Sequence, residues 1–343
     1  MKKNIVCIFL FIYLCTIISG CSNSTNVNND FEIANTSSAD TNPFLNDSGN
    51  TNIGAFSFGV VTNNYEKQVY EYNGKEIHIP FKVAGMDEKV RSEFGLMVFV
   101  DGLSQPYKIV KKDGAVVKEQ YMQKFNLANN ETQEFDIVFN PVTGKKGDRV
   151  GVVFSTVLKP DFIPESEQRY NYGVYHSLNA NVAQEIYFKT DTTGNKETQA
   201  YTQYNIGEIP QIKTEIPGIV VNDGDKPLDD RLITELSAEN KNQDIYHTKD
   251  GKIKFELYIY GGTEATYRTV FFINHEPIKI MGSDYIETEN KKGKMCTVKL
   301  EIDVSKYSKL NTLYAITTPS GKDYMSVSYF PIKTRSFLIV NDK

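Results

Sequence analysis

Histidines at positions 78, 176, 247 and 275 are the side chains of this sequence best suited to proton transfer at neutral pH or to metal ligation. No two stand at ligand spacing and no His-Glu-x-x-His run occurs, so no zinc site is written into a local stretch. His78 alternates with Ile77 and Ile79, which puts it on the outward face of a strand, and His275 falls in the turn Asn274-His275-Glu276-Pro277. Both read as plain surface positions. There is no Gly-x-Ser-x-Gly elbow, and no Gly-rich loop leads through Lys into a helix. The paired acids Glu165 with Glu167 and Asp229 with Asp230 lie in loop-like stretches. Neighbouring carboxylates there are solvated, not set for glycoside cleavage. The expectation is a protein that is not an enzyme and needs no cofactor.

Two clusters have the chemistry to bind. Asn222-Asp223-Gly224-Asp225 offers oxygen ligands on a tight turn, which makes Asp223 and Asp225 a candidate Ca²⁺ site. It is not an EF-hand, because Pro227 and Leu228 fall where ligands and the turn glycine belong. The densest tyrosine group is Arg169-Tyr170-Asn171-Tyr172-Gly173-Val174-Tyr175. Tyrosine brings contact area and a polar tip with few rotors to freeze, so Arg169, Tyr170, Tyr172 and Tyr175 are candidate binding residues. With no Trp in the chain, a protein or cell-wall partner is favoured over a sugar stacked on an aromatic platform. A carbohydrate- or peptidoglycan-binding module is the alternative, and an enzyme with dispersed catalytic residues comes third.

The cysteines address location. Lys2 and Lys3 precede the apolar run Ile5 to Ile18, too short to span a bilayer core, which takes about 20 residues, but suited to a signal peptide. It ends in Ile18-Ser19-Gly20-Cys21. An aliphatic residue, two small residues and a cysteine in that order resemble the lipobox of bacterial lipoproteins. The resemblance implies cleavage before Cys21, diacylglycerol on its thiol, and residence on the extracytoplasmic face of the cell membrane. Cys7 and Cys15 would leave with residues 1–20, and Cys296 would remain as the free thiol, sharing a strand face with Val298 and Leu300. Losing Lys2 and Lys3 takes the formal charge from −5 to −7, which argues against nucleic acid as a partner.

These sites need elements to hold them. Residues 21–54 are mostly Asn, Ser, Thr and Asp and predict a disordered tether, with a root-mean-square span of roughly 30 Å. Beyond it the chain reads as all-β: short Val-, Ile-, Phe- and Tyr-rich runs separated by turn pairs such as Asn73-Gly74, Asp101-Gly102, Asp113-Gly114, Asp250-Gly251 and Ser320-Gly321. One short helix is expected over Leu228 to Leu236, opened by Pro227. An internal repeat organises the rest. Segments 73–85, 98–109, 135–139, 150–160 and 185–191 match 250–262, 271–280, 299–304, 313–319 and 336–342 in the same order. The expected architecture is two tandem antiparallel β-sandwich domains of immunoglobulin-like type arising from duplication, 55–191 and 210–343, joined by a linker at 192–209. A jelly roll is the competing arrangement.

Overall fold

The computed structural model describes residues 54–62, 69–163, 181–194, 198–210, 232–238, 244–248, 250–262, 264–321 and 332–342, and every regular element among them is a β-strand. The first half builds two sheets. One runs β1 (Phe56–Val60), β3 (Ile77–Gly85), β9 (Thr132–Phe139), β6 (Tyr107–Lys111), β7 (Val116–Gln120). The other runs β2 (Val69–Tyr72), β11 (Asn181–Phe188), β10 (Arg149–Leu158), β4 (Ser92–Val100), β5 (Leu103–Gln105), with β8 (Met122–Leu127) also on β4.

The second half repeats the plan. Its smaller sheet runs β13 (Asn205–Glu208), β20 (Lys294–Asp303), β16 (Lys252–Gly261), β14 (Leu232–Ala238). Its larger sheet runs β12 (Ala200–Tyr201), β19 (Tyr285–Glu289), β17 (Thr266–Ile273), β21 (Leu310–Pro319), β23 (Phe337–Asn341), β15 (Ile245–Thr248), with β18 (Glu276–Ile278) on β17 and β22 (Ile332–Lys333) on β21. Each of the five matched sequence segments occupies the same place in both halves: β3 with β16, β4 with β17, β9 with β20, β10 with β21, and β11 with β23. In each half an early strand joins the last strand in parallel, β2 on β11 and β15 on β23. This is the two-sheet antiparallel arrangement of immunoglobulin-like domains.

Alternation drives the burial. Ile77, Ile79, Phe81 and Val83 point into the first core while His78 and Pro80 face out. Ile253, Phe255, Leu257 and Ile259 do the same in the second. Cys296 is buried beside Val298 and Leu300 in that second core. Burial pushes its thiol up to about 11, away from the thiolate that reacts. In a chain expressed from Ser22, where Cys296 is the only cysteine, a thiol reagent at pH 8 is expected to label the native protein negligibly and the urea-unfolded protein fully.

The helix expected over Leu228 to Leu236 is corrected. Leu232–Ala238 is an edge strand paired with β16, and Leu232, Thr234, Leu236 and Ala238 are its buried face. A four-residue leucine spacing satisfies period two as well as period 3.6, and an open sheet edge next to it decided the matter. Two strands, β12 and β13, fall within 192–209 and pair with the second half.

Candidate functional site

Among the described strands, β4, β10, β17, β21 and β23 are buried on both faces. Along β4, Phe94, Leu96, Val98 and Val100 enter the first core, while Met97 and Phe99 point the other way and are equally covered. Along β17, Tyr267, Phe271 and Ile273 enter the second core, while Val270 and Phe272 point outward. The outward sets meet. Met97, Phe99, Met122 and Val153 pack with Val270, Phe272, Tyr285 and Tyr314 in one apolar cluster. The rings of Phe99 and Phe272 meet edge-on at 6.1 Å. The molecule is therefore a stack of four sheets with three dry layers between them, and the middle layer is a seam between the halves.

Polar groups close the ends of this seam. At one end the turn Asp101-Gly102 after β4, with φ of 51° and 76°, has the two positive values of a tight hairpin turn. Arg268 on β17 donates from Nη1 to the Asp101 carboxylate at 2.6 Å and to its carbonyl at 2.8 Å, and from Nε to Glu287 at 3.0 Å. Its guanidinium lies 5.1 Å from the Tyr285 ring centre. The Gly321 amide donates to the other Asp101 oxygen at 2.6 Å. Side chains of Arg268 and Asp101 are only 18% and 15% exposed, so this is a largely desolvated pair.

At the other end the turn Asn274-His275 after β17 also has two positive φ values, 50° and 69°, with a histidine where the first half has glycine. Its ring is buried, and Nε2 lies 2.8 Å from the Pro160 carbonyl across the seam. A carbonyl only accepts, so Nε2 carries the proton. Nδ1 then accepts from the Tyr314 hydroxyl at 3.0 Å, with the Met97 sulfur 3.5 Å from the same oxygen. Lys333 is buried beside them, its Nζ 4.5 Å over the Tyr314 ring and donating to the Thr334 carbonyl and Ser336 hydroxyl. Burial drives its ammonium well below the usual lysine range.

Burial, aided by the Lys124 and Lys333 charges, holds the His275 imidazole down to about 4, against the opposing pull of the Pro160 carbonyl and Asp161. The unfolded chain binds this proton near pH 6.5 and the folded chain near 4, so stability falls as pH drops through that window and levels below it. The His275 share is about 3 kcal/mol. Asp87, Glu131, Glu134, Asp250 and Asp303 have carboxyls held below their usual range, and their acid loss is common to any variant. Urea titrations at pH 7 and 4.5 are expected to show a smaller loss in His275→Gln than in the parent. Equal losses would remove His275 from the seam's acid sensitivity.

The β10–β11 connection starts from this end. Pro160 is bound by His275, Asp161 pairs with Lys124, and Phe162 packs on Leu338 and Val340 of the second half. The base of the connection is thus fixed to both halves. The candidate residues further along it, Arg169, Tyr170, Tyr172 and Tyr175, lie outside the described residues, as do Cys21, Asp223 and Asp225. His78 is exposed, 3.6 Å from Asp136. His247 is partly exposed and 2.7 Å from Asp342. Among the described residues no group of three or more His, Cys, Asp or Glu side chains is placed to hold a metal.

A cleft of about 540 Å³ opens between β8 and the β6–β9 edge. Phe125 and Phe135 on its floor are nearly buried and stack on each other at 5.6 Å, so neither offers an open ring face to a sugar. Arg268, His275 and Lys333 carry no motif. The only signal for them in the sequence was His275 aligned with Gly102, a bulky residue at a turn position that favours glycine.

No protein-family model and no curated protein matches this chain. Among solved structures it is similar to the N-terminal domain of PorA, with 11% identity over 41% of this chain and 100% of that one and a TM-score of 0.22. It is similar to fibronectin(III)-like modules of CbhA from Clostridium thermocellum, with 6% identity, 83% and 92% coverage and a TM-score of 0.19. It is also similar to the SafA pilin in complex with the SafB chaperone from Salmonella enterica, with 11% identity, 84% and 98% coverage and a TM-score of 0.23. These superpositions are loose, and the fold assignment rests on the strand pairing itself.

Proposed function

We propose that the chain is a lipid-anchored, non-catalytic binding protein of the extracytoplasmic face of a bacterial membrane. Cys21 is the attachment point and residues 22–54 are the spacer. The locked pair of sandwiches presents the tyrosine-rich connection 164–180 to a protein or cell-wall partner. The observation that carries this reading is the fixed base of that connection at Pro160, Asp161 and Phe162. Recognition residues on loops work when a rigid scaffold aims them, and here both halves supply the scaffold. The buried ionisable groups of the seam support a non-catalytic role. Arg268 and His275 bind groups across the seam, and Lys333 is held by its own strand region.

The test is retention of the purified chain, from Ser22 onward, on two columns: cell-wall sacculi and immobilised surface-protein extract from the parent bacterium. The parent is expected to be retained on one of them. The triple variant Tyr170→Ala, Tyr172→Ala, Tyr175→Ala is expected to elute at least about tenfold more readily, since loss of a single tyrosine hot spot of about 2 kcal/mol is enough for that. Unaltered retention at unchanged Tm would sink the loop reading. Retention on sacculi would select the peptidoglycan-binding alternative over a protein partner.

A further inference from the structure

Most of the seam is built from four positions used twice. Strand registers fix the equivalences: Phe94 pairs with Leu158 as Tyr267 pairs with Pro319, and Met97 pairs with Met122 as Val270 falls opposite the residue before Ile286. On that alignment Met97, Phe99, Met122 and Val153 are the counterparts of Val270, Phe272, Tyr285 and Tyr314, and these four pairs supply eight of the eleven buried side chains of the middle layer, with Leu103, Val157 and Ile316 added without a matching partner. Phe99 touches Phe272, its own counterpart. A residue meets its own counterpart only on or beside a twofold axis.

The polar ends obey the same relation. The turn of the first half, Asp101-Gly102, binds Gly321, which follows β21. The turn of the second half, Asn274-His275, binds Pro160, which follows β10. Pro160 and Gly321 are counterparts, so turn one to segment two and turn two to segment one are a single contact made reciprocally. We infer that the two halves are joined as the subunits of a homodimer would be, through one self-complementary sheet face related by a pseudo-twofold axis. The partner this face fits is a second copy of the same unit, supplied here by the chain itself.

The side chains have since diverged at both ends. The Asp101 carboxylate is matched by Arg268 where the first half has Gly95, and His275 stands where the first half has Gly102, donating to the Pro160 carbonyl. Divergence of this kind is available only once the two copies are encoded separately. The connection 192–209 then raises effective concentration and adds Ala200 at the margin of the seam, whose bulk comes from the two sheet faces. The inference rests on strand registers and not on the tyrosine-loop reading, so each fails independently.

Two measurements on the chain from Ser22 test it. In the first, residues 195–197 are replaced by a site-specific protease sequence. After cleavage the fragments are expected to co-elute at the mass of the intact chain, and to separate when Phe272→Arg is present. Fragments that part without that substitution overturn the inference. The second uses spin labels at exposed counterpart positions, His78 with Lys254 and Asn126 with Glu289. Twofold symmetry requires the His78–Glu289 and Asn126–Lys254 distances to coincide. Distance distributions whose means differ by more than their widths overturn the twofold relation even where the fragments stay together.

Discussion

Cys21→Ala is expected to abolish incorporation of radioactive palmitate and to move the protein from the membrane pellet to the soluble fraction. The expectation follows from the lipobox-like Ile18-Ser19-Gly20-Cys21 and from anchoring arithmetic. Each buried CH₂ contributes about 0.8 kcal/mol, and one acyl chain holds only reversibly while two or more hold stably. On the proposed lipidation, loss of the thiol would remove the site of the diacylglycerol and, with it, recognition for the later acylation. No helix among the described residues is long and apolar enough to cross a membrane. The substitution lies well before the first strand at Phe56, and an unchanged Tm is the control that separates release from unfolding. A mutant that stays in the pellet after a carbonate wash would show that something other than Cys21 holds the protein there.

Arg268→Ala is expected to destabilise the chain by about 3 kcal/mol, because it leaves the desolvated Asp101 and Glu287 carboxylates without their cation. Partial exposure of the pair keeps the effect at the low end for a broken buried ion pair. The loss should appear as a lower urea midpoint and persist in 0.5 M salt, since buried pairs are poorly screened. A double-mutant cycle with Asp101→Ala is expected to show strong coupling, of order 1–3 kcal/mol. An Arg268→Ala chain within about 0.5 kcal/mol of the parent would place the pair among surface contacts of little consequence.

What the sequence disclosed follows the solvent. β3 and β16 alternate cleanly because one face is wet, and the repeat between them is legible for the same reason. β4 and β10, with Phe94-Gly95-Leu96-Met97-Val98-Phe99-Val100 and Val150-Gly151-Val152-Val153-Phe154, read as strands, and their apolar character on both sides was a sign that something covers the outer face. That sign marks the seam, although it does not name what lies there. β13 is exposed along its whole length and pairs through its backbone and a Glu208–Lys294 ion pair, so the apolar pattern had nothing to show. Arg268 and Asp101 lie 167 residues apart, a pairing that only the stacking of the two halves creates. His275 looked like a surface turn because burial of a turn is decided by its neighbour, in this case Pro160 of the other half.

The parallel strand pairs have a mechanical consequence. In each half an early strand and the last strand run side by side in one direction, β2 with β11 and β15 with β23, over four register positions apiece. Pulling the start of β2 against the end of β11, or the start of β15 against the end of β23, draws these neighbours past each other lengthwise. Their cross-strand hydrogen bonds then bear the load together and cannot open one at a time, as they would in a hairpin peeled from its tip. Survival under pulling is a matter of unfolding rate and not of equilibrium stability. The arrangement favours a slow rate for traction applied through residues 69 and 188 of the first half.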